Sequence, residues 1–328
     1  MAGTIIKGDN FFHTTLYEGN RLGQRVGRFV PFTDAVTIGK SVIFNRENTG
    51  AADLPGDSPN ITRSVSSAGD RRKFTLSFWF KHGVISTPET AASGSGYQIG
   101  QPLIGVRPSS GSAYWSVQIF SEGDGGTADR AIGVQALDSS GSHACSKYMG
   151  NFAMGDTTKW YHVVTAVDTT QSTASDRVKI YVDGQDLDDI TSATYSNFNG
   201  GQSVELSTNA SGSEISLGGK TSNYYFDGYM AEVNFIDGTI YDASKFGQTD
   251  TSTGRWIPKA ISSVTYGTNG FRCEFANTAG QTLGHDTSGN GNNLTVNNIS
   301  ATTDLSIDTP STNYATFLDS HQGTKKTE

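Results

Sequence analysis

Hydrophobic and polar residues alternate with period two through most of the chain. In Phe74-Thr75-Leu76-Ser77-Phe78-Trp79-Phe80, the residues Phe74, Leu76, Phe78 and Phe80 share one face, while Thr75, Ser77 and Trp79 share the other. That spacing predicts a half-buried strand. Runs of the same kind occupy 114–120, 131–137, 160–167, 178–182, 215–217, 229–236 and 270–275, each bounded by Gly, Ser, Asn or Asp clusters. No helical periodicity separates them. Asp183-Gly184, Asp227-Gly228 and Asp237-Gly238 each follow an apolar residue, and such pairs supply the positive φ that a tight hairpin turn requires. The pattern predicts an all-β chain folded as a two-sheet antiparallel sandwich, with an N-terminal arm over 1–38, the sandwich over 39–241, and a C-terminal β extension over 242–328 that braces it.

Three stretches lack the rhythm: the first 35 residues or so, 86–100, and the segment after Asp242, where 242–246 predicts one helical turn capped by Asp242. The N-terminal arm carries Phe11, Phe12, Leu16, Tyr17, Val26, Phe29, Val30 and Phe32. That is too much apolar surface for a disordered tail. The arm is expected to dock, either on the sandwich or on a neighbouring subunit of a larger assembly.

Composition narrows the function classes. Glycine supplies 39 of 328 residues and charged residues only 17%, which excludes a helical bundle with salt-bridged faces. The net charge is −8, and basic residues are scattered apart from Arg71-Arg72-Lys73 and Lys325-Lys326. No basic stripe exists to neutralise a phosphate backbone, so nucleic acid is not an expected partner. No apolar run suits a signal peptide or a membrane span, and neither export nor a membrane partner is expected. Of the two cysteines, Cys273 alternates with Phe271 and Phe275 on one strand face. It reads as a free core thiol rather than half of a Cys145–Cys273 bridge.

Several segments resemble known proteins. In order, 41–45 (SVIFN), 71–81 (RRKFTLSFWFK), 159–164 (KWYHVV), 179–184 (KIYVDG) and 226–233 (FDGYMAEV) resemble the strands of concanavalin A-like, laminin-G-type jelly rolls. The later segments 235–238, 245–247, 253–259, 266–271, 286–293 and 308–316 are similar to the continuation found in a family of tailed-bacteriophage virion proteins, especially from aquatic phages. The resemblance implies a jelly-roll sandwich on a tail fibre, spike or capsid surface. It further implies other virion proteins as partners, a homo-oligomer within the virion, and location in a particle assembled in the host cytoplasm.

Glucanases of this fold place two Glu and an Asp on alternate residues of one strand. Here Glu232 and Asp237 are five apart, so strict alternation sends them to opposite faces, and Asn234 takes the position that shares the face of Glu232. No catalytic residues are therefore assigned. His162 lies between Tyr161 and Val163 on a strand and reads as a satisfied core or flank residue rather than a base. Asp286, Ser288 and Asn290, with Gly291 following, match the first half of a calcium loop, but position 12 is Asn297 rather than Glu. A tight turn is the expected reading, no cofactor is required, and Ca²⁺ is the one metal that these three residues would take. Host-surface glycan would need flat rings on an exposed face or rim, and the candidates are Trp79, Trp115, Tyr224 and Tyr225. Four Asn-x-Ser/Thr sequons, at Asn60, Asn209, Asn293 and Asn298, are expected by chance in so Asn-, Ser- and Thr-rich a chain. The expected role is a non-enzymatic virion surface protein. The competing expectations are a polysaccharide-degrading hydrolase and a free lectin.

Overall fold

The computed structural model describes residues 36–44, 59–83, 101–107, 115–120, 131–137, 143–148, 154, 156–190, 202–220, 224–276 and 281–313. The strands in chain order begin with β1 (Ser41–Phe44), β2 (Asn60–Ser64), β3 (Lys73–His82), β4 (Gln101–Arg107), β5 (Trp115–Phe120), β6 (Ala131–Leu137) and β7 (His143–Tyr148). Next come β8 (Tyr161–Asp168), β9 (Val178–Val182), β10 (Gln185–Asp186), β11 (Glu214–Leu217), β12 (Gly219–Lys220), β13 (Tyr224–Tyr225) and β14 (Gly228–Asp237). The last are β15 (Gly247–Thr249), β16 (Trp256–Pro258), β17 (Phe271–Cys273), β18 (Thr295–Asn297) and β19 (Leu305–Ser306).

These strands form the expected two-sheet antiparallel jelly-roll sandwich. The first sheet runs β10-β9-β8-β3-β14-β1-β19, with β17 also paired to β14, and the second runs β18-β2-β11-β4-β5-β6-β7. Period-two alternation sends Phe74, Leu76, Phe78 and Phe80 of β3 inward, where they share one core with Ile61, Ile104, Val106, Val117, Val134, Ile215 and Leu217 of the opposite sheet. Burying each such side chain contributes about 1.5–3 kcal/mol.

Turn chemistry follows the sequence closely at one of the three Asp-Gly pairs. Asp183 (φ 49°) and Gly184 (φ 82°) both take positive φ and close the two-residue hairpin between β9 and β10, in which Val182 pairs with Gln185. The other two pairs lie at the start and the end of β14 instead of joining two adjacent strands. A second device recurs: Asp156, Asp168, Asp242, Asp250 and Asp286 each accept a hydrogen bond from the backbone N–H two residues on, at 2.8–3.0 Å. In every case a Ser or Thr stands at that position and its hydroxyl donates to the same carboxylate. The Asp-x-Ser/Thr triplet is thus this chain's turn signal. At Asp242 it caps a 3₁₀ turn over Ala243–Lys245, where one helical turn was expected.

The segment after Asp242 forms the expected β extension. It adds β17 to β14, β18 to β2 and β19 to β1, and it forms the hairpin β15–β16. Of these, β17 lies within the 270–275 run, while β15, β16 and β19 are two or three residues long, too short for alternation to register. The same segment covers the outer face of the first sheet. Phe246 and Ala243 join Val164 and Ile236 in one cluster, and Trp256 packs on both that cluster and a second one of Ile38, Trp79, Trp160, Tyr229 and Ala231. The N-terminal arm over 1–35 and the 86–100 span lie outside the described residues.

Candidate functional site

The regular pairing of β14 breaks at its centre. Ala231 pairs with Trp79 and Asn234 with Ser77, so three steps on β14 oppose two on β3, and a β-bulge falls between. Within it Glu232 holds φ at 50°. A left-handed conformation in a non-glycine residue costs on the order of 1–3 kcal/mol, and bulges cluster beside functional sites. Glu232 is 8% exposed, and its Oε1 accepts from Arg272 Nε at 2.6 Å. The same guanidinium pairs with Glu274 at 3.0 Å. Asn234 donates to the Glu232 carbonyl at 3.3 Å and accepts from the Tyr266 hydroxyl at 2.7 Å. Burial raises the Glu232 carboxyl above the usual range, against the pull of Arg272. Burial also works against the charge on Arg272, but Glu232 and Glu274 outweigh it and keep the guanidinium charged. The cluster is therefore a buried carboxylate held by a cation.

The bulge also breaks the strict alternation expected between Glu232 and Asp237. An inserted residue interrupts the alternation that was to send them to opposite faces, and what distinguishes them is their partners. Asp237 Oδ1 accepts from the Asp70 N–H at 2.8 Å and from Asn209 Nδ2 at 2.9 Å, while Oδ2 accepts from the Asn269 N–H at 3.0 Å. It ties three loops together at the end of the strand.

His162 is fully occupied as a core residue. Indole nitrogen can only donate, so the 2.9 Å contact from Trp256 Nε1 makes His162 Nδ1 the acceptor. The ring proton then sits on Nε2, facing Ser77 Oγ at 3.0 Å. This resembles a serine–histidine pair wired in reverse, because the nitrogen beside the hydroxyl carries the proton and has no lone pair to take another. Burial pushes the ring's pKa down from 6.5 to about 3. Trp256 fits so closely that a Cβ on Gly184 or Gly247 would come within 2.4 Å of the indole.

The calcium-loop residues form a closed turn. Asp286 Oδ1 accepts from the N–H groups of Arg272 (2.9 Å) and Ser288 (2.8 Å), and Oδ2 accepts from Ser288 Oγ (2.9 Å) and the Asn292 N–H (2.7 Å). Ser288 Oγ in turn accepts from the Asn290 N–H, and Asn290 Nδ2 donates to the carbonyls of Gly267 and Gly270. Four donors occupy the one carboxylate, and among the described residues no three His, Cys, Asp or Glu side chains converge on a metal-sized site.

The ring candidates divide. Trp79 does face away from the central core, as alternation requires, but it is only 3% exposed because the C-terminal segment covers that face. Its ring stacks on His162 with centroids 4.6 Å apart. It is a core ring, not an exposed platform. Trp115 opens β5, next to β4 and β6 in the second sheet, and Tyr224 and Tyr225 form β13, paired with β12. Their side chains lie outside the described atoms. Cys273 is a free, buried thiol whose Sγ donates to the Leu283 carbonyl at 3.2 Å. The Cys145 side chain lies outside the described atoms. Sequence reasoning passed over Arg272, although its place between inward-facing Phe271 and Cys273 marks it as a charge on the other face of a strand.

No protein-family model matches the chain, and no curated protein matches it. Among solved structures it is similar to a heptameric SAP-like pentraxin from Limulus polyphemus, at 14% identity and a TM-score of 0.38 over 63% of this chain and 80% of that one. It is similar to domains LG4-5 of the mouse laminin alpha1 chain, at 9% identity and a TM-score of 0.35 over 74% of this chain and 49% of that one. It is also similar to the enzymatically active domain of tailspike protein 2 of bacteriophage CBA120, at 10% identity and a TM-score of 0.35 over 57% of this chain and 25% of that one.

Proposed function

We propose that this chain is a non-enzymatic structural protein displayed on the surface of a tailed-bacteriophage virion, held by its terminal segments and presenting loops and rings to host-surface glycan. The observation that carries the reading is that the two ends of the described chain are fastened to one another. The Ile38 N–H donates to Ser311 Oγ at 3.0 Å, Thr309 Oγ1 donates to the Ile38 carbonyl at 2.8 Å, and Ser41 Oγ donates to the Asp308 carbonyl at 2.6 Å. Segments that enter and leave at one place make a single point of attachment and leave the rest of the sandwich to face outward. The candidate chemistry also supports it: His162 has its lone pair occupied, and the Asp286 carboxylate is saturated by turn donors.

Deleting residues 1–35 should leave a sandwich that melts cooperatively but does not enter particles. Normal incorporation of the truncated protein would overturn the anchoring role. Replacing Trp115, Tyr224 or Tyr225 by Ala should lower adsorption to host cells while particles still assemble, and unchanged adsorption for all three would remove glycan binding from the proposal.

Glu232 favours one competing reading, a glycoside hydrolase, because a buried carboxyl with a raised pKa suits a general acid. A retaining enzyme needs a second carboxyl about 5 Å away that is free to act, whereas here a guanidinium binds the first. Hydrolysis of an algal or bacterial glycan, abolished by Glu232→Gln, would establish that reading.

A further inference from the structure

Lys147 lies on β7, the edge strand of the second sheet, yet it is fully buried. Its ammonium meets Asp188 Oδ1 in a close ion pair and donates to the Val178 carbonyl at 3.0 Å. Asp188 belongs to the 3₁₀ turn Leu187–Asp189, which directly follows β10, the edge strand of the first sheet. Its other oxygen, Oδ2, accepts from Lys179 Nζ at 2.7 Å. Asp186 completes the cluster, accepting from the Asp188 N–H at 2.9 Å and lying 4.0 Å from Lys179 Nζ. A lysine and a carboxylate are thus pressed together where the open edges of the two sheets meet.

We propose that Lys147 and Asp188 are the two halves of an intramolecular isopeptide cross-link. The amine of Lys147 attacks Asp188 Cγ, one N–C bond forms, and the C–Oδ1 bond breaks. Two of the three ammonium protons leave with Oδ1 as water, so ammonium plus carboxylate become amide plus water with no change in net charge and no co-reactant. Lys179, already bonded to Oδ2, holds the negative charge that develops there as the tetrahedral centre forms. Asp186 is the further carboxylate available to relay protons from Nζ to the departing oxygen.

Two features of the site favour the product. Burial disfavours the charged form of Lys147 and opposes the pull of Asp188, which moves the amine toward its nucleophilic state. A buried ion pair also carries a desolvation cost that a neutral amide does not. The amide retains one N–H and one carbonyl, and partners for both are already in place: Val178 O accepts from the first, and Lys179 Nζ donates to the second. The bond would close a 41-residue span and tie the two sheets at edges that no pairing among the described strands joins.

The test is the intact mass of the purified full-length chain followed by fragmentation of its tryptic peptides. The expected result is a chain lighter by one water, no cleavage after Lys147, and a branched peptide joining the segments around residues 147 and 188. Lys147→Arg and Asp188→Ala should restore the full mass, and Asp188→Asn should lose ammonia in place of water. A folded wild-type chain with its full sequence mass would overturn the proposal. So would a water loss that persists in Lys147→Arg, which marks a cyclic imide. The branched peptide is sought in the wild-type protein, so the outcome stands even where a variant does not fold.

Discussion

Removing the Asp308 carboxylate should unfasten the end of the described chain from the sandwich. Oδ2 lies 2.7 Å from Lys81 Nζ, the two side chains being 7% and 4% exposed, and Oδ1 accepts from Trp160 Nε1 at 3.0 Å. Asp308→Ala leaves a buried ammonium without its counter-charge, a change that typically costs about 3–5 kcal/mol. It also leaves the indole N–H unpaired, worth about 1–3 kcal/mol alone. The two costs overlap, since water admitted in place of the carboxylate reaches both groups, and Asn313 Oδ1 still stands 3.3 Å from the ammonium. The expected loss is therefore about 4 kcal/mol, read as a lower urea midpoint at unchanged slope and a melting temperature lower by roughly 8–15 °C. The double variant Lys81→Met/Asp308→Leu should recover most of that loss, because a buried pair replaced by apolar groups of similar volume is often near neutral. A loss below about 1 kcal/mol, or strict additivity of the two single changes, would refute the latch.

His162 gives a pH dependence of known sign. Its folded pKa of about 3 lies below the ordinary 6.5, so the unfolded chain binds a proton that the folded one excludes; stability is complete above about pH 6.5 and declines as pH falls toward 3, by up to about 1.4 kcal/mol per pH unit. His162→Gln should flatten that slope in urea titrations, and an unchanged slope would place the acid lability elsewhere. Burial pushes the Cys273 thiol up to about 12, so an alkylating reagent should label it only after unfolding; modification at native-state rates matching those of a free peptide thiol would contradict the packing described for β17.

How much was readable depended on how far each feature reached along the chain. The ten residues of β3 carry their own alternation, and Asp183-Gly184 carries its own turn, so both are local and both were legible. The bulge at Glu232 is not local. Nothing between Ala231 and Asn234 says that one residue will be left over, because the surplus is defined only against Trp79 and Ser77 on β3. Arg272 stands forty positions away, and Lys81 finds Asp308 across 227. At Asp286 the spacing of oxygen-bearing residues suits either a cation or a run of backbone donors. The choice falls to the Arg272 N–H delivered by β17, and the alternation that marks 270–275 as a strand does not say which turn that N–H will meet.

The covered face of the first sheet did leave a trace in the sequence. A sheet with one face in water should read apolar and polar by turns, whereas strands buried on both faces read as near-continuous apolar runs. Every residue of β8 and β14 is buried, and both depart from strict alternation: Val163-Val164 are adjacent in β8, and Tyr229-Met230-Ala231 run together in β14. Trp79 points to the same side as Val164 and Ala231. Read together, those positions mark the face of Thr75, Ser77 and Trp79 as an interior, although the alternation of β3 alone predicts a half-buried strand, and Phe246 and Trp256 supply its cover. The physical reason is that Trp79 left bare beside Val164, Ala231 and Ile236 would put an apolar patch in water. Segment 243–266 meets that requirement from within the chain.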